Sequence, residues 1–95
     1  MKERVVIVDD EPAIRGLLQA YLSPLPLDVR PAKDAAEALE LAAQAPHPAL
    51  VISDIEMPGT SGVELLQSLK KLDETIQVVM VTGVQQMGTV RECVR

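Results

Sequence analysis

Aromatic side chains are almost missing from this chain: Tyr21 stands alone among 95 residues, with no Trp and no Phe. A core has to be built from Val, Ile, Leu, Met and Ala. Cysteine is equally scarce, and the lone Cys93 cannot form an internal disulfide. Basic residues are outnumbered, 9 Lys and Arg against 14 Asp and Glu, for a formal net charge of −5. That balance argues against nucleic acid or an anionic membrane as a direct partner, because both require clustered Lys and Arg. Small cations and basic protein surfaces suit it better. No apolar run is long enough for a signal peptide or a membrane span, since Met1-Lys2-Glu3-Arg4 leads into a short one. The expectation is a cytoplasmic protein. Linkers, internal repeats and low-complexity stretches are also lacking, so residues 1–95 read as one domain.

What is present is a repeated pattern of short apolar runs that stop at polar residues. Residues 49–54, Ala-Leu-Val-Ile-Ser-Asp, are followed by Ile55-Glu56-Met57-Pro58-Gly59. A β-branched run ended by an acid, a Pro and a Gly predicts a strand buried on both faces, then a turn. Asp54 thus falls at a strand's carboxyl end. Residues 4–8, Arg-Val-Val-Ile-Val, form a second such strand and run into Asp9-Asp10-Glu11-Pro12. Asp10 is placed to cap a helix with Pro12 in its first turn, and Ile14, Leu17, Leu18, Tyr21 and Leu22 recur at helical spacing.

Leu27-Asp28-Val29-Arg30-Pro31 alternates as a short strand, and Pro31 favours a sheet edge. Asp34 and Glu37 have the spacing of a capping box for a second helix through Ala38, Leu39, Leu41, Ala42 and Ala45. Ser61 and Glu64 repeat that spacing before a third helix, whose stripe is Leu65, Leu66, Leu69 and Leu72 and whose last turn carries Lys70 and Lys71. Residues 76–81 form a fourth strand ending in Thr82-Gly83, and Met87, Val90 and Val94 suggest a fourth helix. His47, between two prolines, and Glu37, Glu40, Asp73 and Glu74 read as solvated surface.

Alternating strands and helices imply a parallel sheet covered by helices. Right-handed crossovers place all strand carboxyl ends on one edge. With the Pro-bearing strand outermost the order is 2-1-3-4. The switch point then lies between the first and third strands, where Asp9, Asp10 and Asp54 converge, and ligands bind at such points.

Two carboxylates about 4 Å apart repel by roughly 4 kcal/mol at an effective dielectric near 20. Either one of them holds a proton or a hard divalent cation binds. Oxygen-only donors favour Mg²⁺ or Mn²⁺ over zinc. Mg²⁺ keeps waters and leaves positions for a phosphate, so the pocket suits phosphoryl chemistry, with a carboxylate as nucleophile and the Thr82 hydroxyl as a donor to a phosphoryl oxygen.

These stretches, Val5-Val6-Ile7-Val8-Asp9-Asp10-Glu11-Pro12, Ser53-Asp54-Ile55-Glu56-Met57-Pro58-Gly59 with Ser61-Gly62, and Val78-Val79-Met80-Val81-Thr82-Gly83, resemble the receiver domain of two-component response regulators. The resemblance implies a flavodoxin-like α/β fold, a doubly wound parallel sheet. It implies that Asp54 accepts a phosphoryl group from a histidine kinase or a small acyl phosphate. Asp10 is then a direct Mg²⁺ ligand, Asp9 acts largely through water, Glu56 contributes its backbone carbonyl, and Thr82 is the switch hydroxyl.

The family continues with a fifth strand, bearing a Lys that pairs with the phosphoryl group and an aromatic switch residue, and a fifth helix. Residues 1–95 include neither, and Lys70 and Lys71 lie at the wrong end of the third helix to substitute. The expectation is a receiver truncated before its fifth strand, with cation binding retained. The exposed fourth strand or fourth-helix region is then expected to drive homo-oligomerisation. The alternative function is a phosphorylation-independent dimerisation or interaction module. A hydrolase of the dehalogenase type fits poorly, because its Asp-x-Asp motif is not matched at Asp9-Asp10-Glu11.

Overall fold

The computed structural model describes residues 3–54 and 62–81. Within them the chain alternates as read from its pattern: β1 (Glu3–Val8), α1 (Pro12–Leu22), β2 (Leu27–Ala32), α2 (Ala35–Ala43), β3 (Leu50–Asp54), α3 (Gly62–Leu72) and β4 (Gln77–Val81). The strands form one sheet in the order β2-β1-β3-β4, every neighbouring pair parallel. Pro31 sits in the edge strand β2, opposite Ile7 of β1, where a missing N–H is tolerated. The chain steps from β1 to β2 in one direction and from β2 to β3 in the other. Right-handed crossovers therefore put α1 and α2 on opposite faces, the doubly wound arrangement.

The principal core lies on the α2/α3 face. Val6, Val8, Val51, Val78 and Met80 project from the strands against Ala38, Ala42, Leu65 and Leu69, all of them buried. Small alanines let α2 approach the sheet closely, while Leu65 and Leu69, four residues apart on α3, fill the remaining space. Leu66 is only partly buried, and Leu72 is largely outside the stripe expected of it. Strand residues of the other parity, Val5 and Ile7, are buried on the opposite face.

Helix α1 departs most from its pattern. It lies against β1 and β2 yet has no buried residue. Ile14, Leu18 and Leu22, spaced four apart, are half-buried, whereas Leu17 is 54% and Tyr21 75% exposed. Leu17 and Tyr21 lie to one side of the line of Ile14, Leu18 and Leu22 that meets the sheet.

Capping follows the sequence at one helix and corrects it at another. Asp34 accepts the N–H of Glu37 at 2.9 Å, and the Glu37 carboxylate reaches back to the N–H of Lys33 at 2.9 Å, one residue earlier than in the usual box. At α1, by contrast, the N-cap position is Glu11 and no side chain caps it, so the capping role expected of Asp10 is not found. Two residues beyond Asp10 stands Pro12, which has no N–H to give. Helix α2 ends at Ala43, leaving Ala45 outside it, and β4 begins at Gln77 rather than at the fully buried Ile76.

Polar ties fasten the amino-terminal edge of the sheet. Arg4 of β1 pairs with Asp28 of β2 at 3.3 Å, and Lys70 Nζ donates to the carbonyls of Glu74 and Ile76. Asp73 is not merely solvated. It accepts the Thr75 N–H at 3.0 Å and the Thr75 hydroxyl at 2.7 Å and pairs with His47 Nδ1 at 3.1 Å. These bonds, with those of Thr75 foremost, lower its pKa to about 2. The turn residues Met57, Pro58, Gly59 and Ser61, the fourth helix with Met87, Val90 and Val94, and Val84 and Cys93 all lie outside the described residues.

Candidate metal centre at the carboxyl edge of the sheet

Asp9 is the first residue beyond β1 and keeps the strand's alignment, its N–H donating to the Ala32 carbonyl of β2 at 3.1 Å. The chain then turns away, and Asp9 Oδ1 accepts the N–H of Glu11 at 2.9 Å. This i to i+2 bond is the local closure Asp forms readily in turns. On the next strand but one in sequence, and adjacent in space, β3 ends at Asp54. Parallel pairing brings both strand ends to the same edge.

The result is one cluster. Asp9, Asp10 and Asp54 each offer a carboxylate oxygen, and the three oxygens lie within 4.8 Å of one another. Asp9 is buried at 4% exposure, Asp54 is half-buried and Asp10 is exposed. Burial raises the Asp9 pKa above its ordinary 3.8; the charges of Asp54, Asp10 and Glu11 raise it further, and the hydrogen bond from the Glu11 N–H offsets part of the rise.

Three carboxylates so close, one raised in pKa first by burial and then by its acidic neighbours, form a donor set that a hard divalent cation fits. All the donors are oxygens, the number is right for Mg²⁺ or Mn²⁺ with water completing the shell, and one member is open to solvent. The structure therefore brings together the three described acids expected at the site. Glu56 and Thr82 lie outside the described residues.

Two neighbours were not anticipated from the sequence. Ser53 is fully buried in β3, and its hydroxyl donates to the Asp54 carbonyl at 3.0 Å. The signal was one hydroxyl in an otherwise apolar strand. Arg15 of α1 donates from Nη1 to the Asp9 carbonyl at 2.6 Å. Helical side chains lean toward the helix amino terminus, so a long cationic residue one turn into a helix that follows paired acids could have been marked.

Comparison with known proteins agrees with this arrangement. Residues 5–95 match the family model of the response regulator receiver domain. The chain is 36% identical over 88 residues to the response regulator protein PilR of Pseudomonas aeruginosa, covering 93% of this chain and 20% of that protein. It is 32% identical over 92 residues to sporulation initiation phosphotransferase F of Bacillus subtilis, covering 97% and 73%. The chain thus spans a fifth of the length of the first relative and nearly three quarters of the second.

Among solved structures it resembles the response regulator protein TrrA of Thermotoga maritima. In complex with the histidine kinase ThkA the TM-score is 0.76 at 36% identity, covering 85% of this chain and 69% of that one. In complex with Mg²⁺ and BeF it is 0.75 at 31% identity, covering 92% and 78%. A family model matched across nearly the whole chain, on a sheet that gathers its acids at the switch point, leads to one conclusion: this chain belongs to the response regulator receiver domain family.

Proposed function

We propose that this chain is the phosphoacceptor module of a two-component response regulator, with Asp54 as the acceptor. The observation that carries the reading is the gathering of the Asp9, Asp10 and Asp54 carboxylates within 4.8 Å at the carboxyl edge of the sheet. Asp10, exposed at the mouth, and Asp54 would hold a divalent cation directly, with Asp9, held by the Glu11 N–H, acting largely through water. Mg²⁺ so bound neutralises the acids and the incoming phosphoryl oxygens.

In the transfer an Asp54 carboxylate oxygen forms a bond to phosphorus as the P–N bond of a kinase phosphohistidine breaks and the imidazole leaves. An acyl phosphate supplies the same group by cleavage of its P–O bond. As the family resemblance implies, Glu56 would contribute its backbone carbonyl to the cation, and Thr82 would be the switch hydroxyl toward the phosphoryl group. The chain acts on itself in one phosphoryl transfer and serves as a signalling domain rather than as a turnover enzyme. The kinase partner follows by similarity to TrrA, whose structure contains one.

We place the domain in the cytoplasm, where histidine kinases expose their phosphohistidine. No described helix is long and apolar enough to cross a membrane. We propose homo-oligomerisation through β4, an edge strand among the described ones, or through the fourth-helix region. Light scattering that finds a monomer throughout the micromolar range contradicts that part.

A titration with Mg²⁺ tests the site. Amide resonances of the loop after β1 and of the end of β3 are expected to shift together, and Asp10→Asn to weaken the binding at least tenfold. Shifts scattered over the surface acids, unchanged in Asp10→Asn, overturn the assignment.

A further inference from the structure

We propose that Arg15 is a positioning residue of the acidic site, fixing through the Asp9 carbonyl the direction in which the Asp9 and Asp10 carboxylates leave the end of β1. The inference deepens the cation-site reading above and rests on it.

Arg15 closes the loop from both of its ends. Its side-chain Nη1 holds the Asp9 carbonyl at 2.6 Å, and its backbone N–H holds the Glu11 carbonyl at 3.1 Å. Glu11 in turn donates its N–H to Asp9 Oδ1 at 2.9 Å. Asp10 lies inside this ring of bonds. On the sheet side the Asp9 N–H is held by the Ala32 carbonyl at 3.1 Å. The Asp9 residue is therefore fastened to β2 through its nitrogen and to α1 through its oxygen.

Among the described residues, few other ties hold α1 to that loop. The helix has no buried residue, and its N-cap has no side-chain hydrogen bond. Among the described residues, the charge-assisted bond from the Arg15 guanidinium to the Asp9 carbonyl is a direct side-chain restraint between the helix and the strand end. Arg15 acts on the backbone, for the atom its guanidinium holds at the site is the Asp9 carbonyl oxygen. Groups that orient metal ligands without touching the metal typically change affinity by ten- to a hundredfold when removed.

The two roles differ in sign. A guanidinium that merely adds positive charge near the pocket opposes Mg²⁺, so Arg15→Gln would tighten binding, and the gain would fade in high salt. A positioning guanidinium predicts the reverse. Mg²⁺ alone is titrated into the parent chain, Arg15→Gln and Arg15→Lys, with the hydrogen exchange of the Glu11 amide measured in each before metal is added. The expected result is roughly tenfold weaker Mg²⁺ binding in Arg15→Gln at low and high salt alike, faster exchange at Glu11, and partial recovery of both in Arg15→Lys. Should Arg15→Gln fail to fold, Arg15→Lys decides by the same two readouts, a smaller loss in each being expected. Binding that is unchanged or tighter in the variants, or exchange at Glu11 that does not move, overturns the inference. A parent chain that binds no Mg²⁺ overturns the cation-site reading, and the metal-free exchange at Glu11 then still decides whether Arg15 holds the loop.

Discussion

Asp9 and Asp54 stand at the carboxyl ends of adjacent parallel strands with carboxylate oxygens no more than 4.8 Å apart, Asp9 buried and Asp54 half-buried. At that separation two full charges repel by about 3.5 kcal/mol at an effective dielectric near 20. Without a cation the fold carries this repulsion at neutral pH. Asp9→Asn is therefore expected to raise the melting temperature of the metal-free chain, by about 4–8 °C for each kcal/mol relieved. Mg²⁺, which stabilises the parent by mass action, is expected to stabilise the variant less. Calorimetry with and without Mg²⁺ checks both; a metal-free variant less stable than the parent contradicts the repulsion.

The burial of Asp9 beside these acids sets a pH dependence. The pKa of Asp9 is raised in the folded state, so the folded chain binds its proton more tightly than the unfolded chain does. Its contribution is fully present below the unfolded value near 3.8 and is lost as pH rises through the higher folded value. Asp73, lowered to about 2, has the opposite sign: its contribution is present above 3.8 and is lost as pH falls toward 2. Urea unfolding of the metal-free chain is expected to show greatest stability in mildly acidic solution. Asp9→Asn is expected to flatten the decline toward neutrality, and Asp73→Asn the decline toward acid.

Gly16 occupies the interior of α1, and a Cβ built there meets nothing within 4 Å. Helical glycine costs about 0.5–1 kcal/mol relative to alanine through backbone entropy. Gly16→Ala should stabilise the chain by that amount, seen as a higher urea midpoint at unchanged slope.

Asp34 caps α2 through the Glu37 N–H at 2.9 Å. Asp34→Ala is expected to cost about 1 kcal/mol. Asp10→Ala, at a helix whose cap is not Asp10, should show no capping loss and should instead relieve repulsion at the pocket. Equal losses in the two variants would contradict the capping assignment.

The sheet and the acids were legible because their signals are local. Val5 to Val8 and Val51 to Ile52 are apolar runs that end in acids, and Pro31 marks the edge strand, so strand order and the meeting of Asp9, Asp10 and Asp54 follow from topology. What escaped depends on contacts distant in sequence or on small differences in reach. The pairing of His47 with Asp73 spans 26 positions. Which of Asp9 and Asp10 closes the turn after β1 depends on whether its carboxylate finds an N–H or a proline two residues on. The exposure of Leu17 and Tyr21 depends on how much of the helix the sheet can meet, which periodicity alone does not measure.

The central claim is that Asp54 receives the phosphoryl group. Its most direct test is to incubate the chain with Mg²⁺ and acetyl phosphate and locate the modification by peptide mass spectrometry. A hydroxylamine-labile phosphoryl group on Asp54, dependent on Mg²⁺ and lost in Asp54→Asn, is the predicted result; modification elsewhere, or equal labelling of Asp54→Asn, would contradict it.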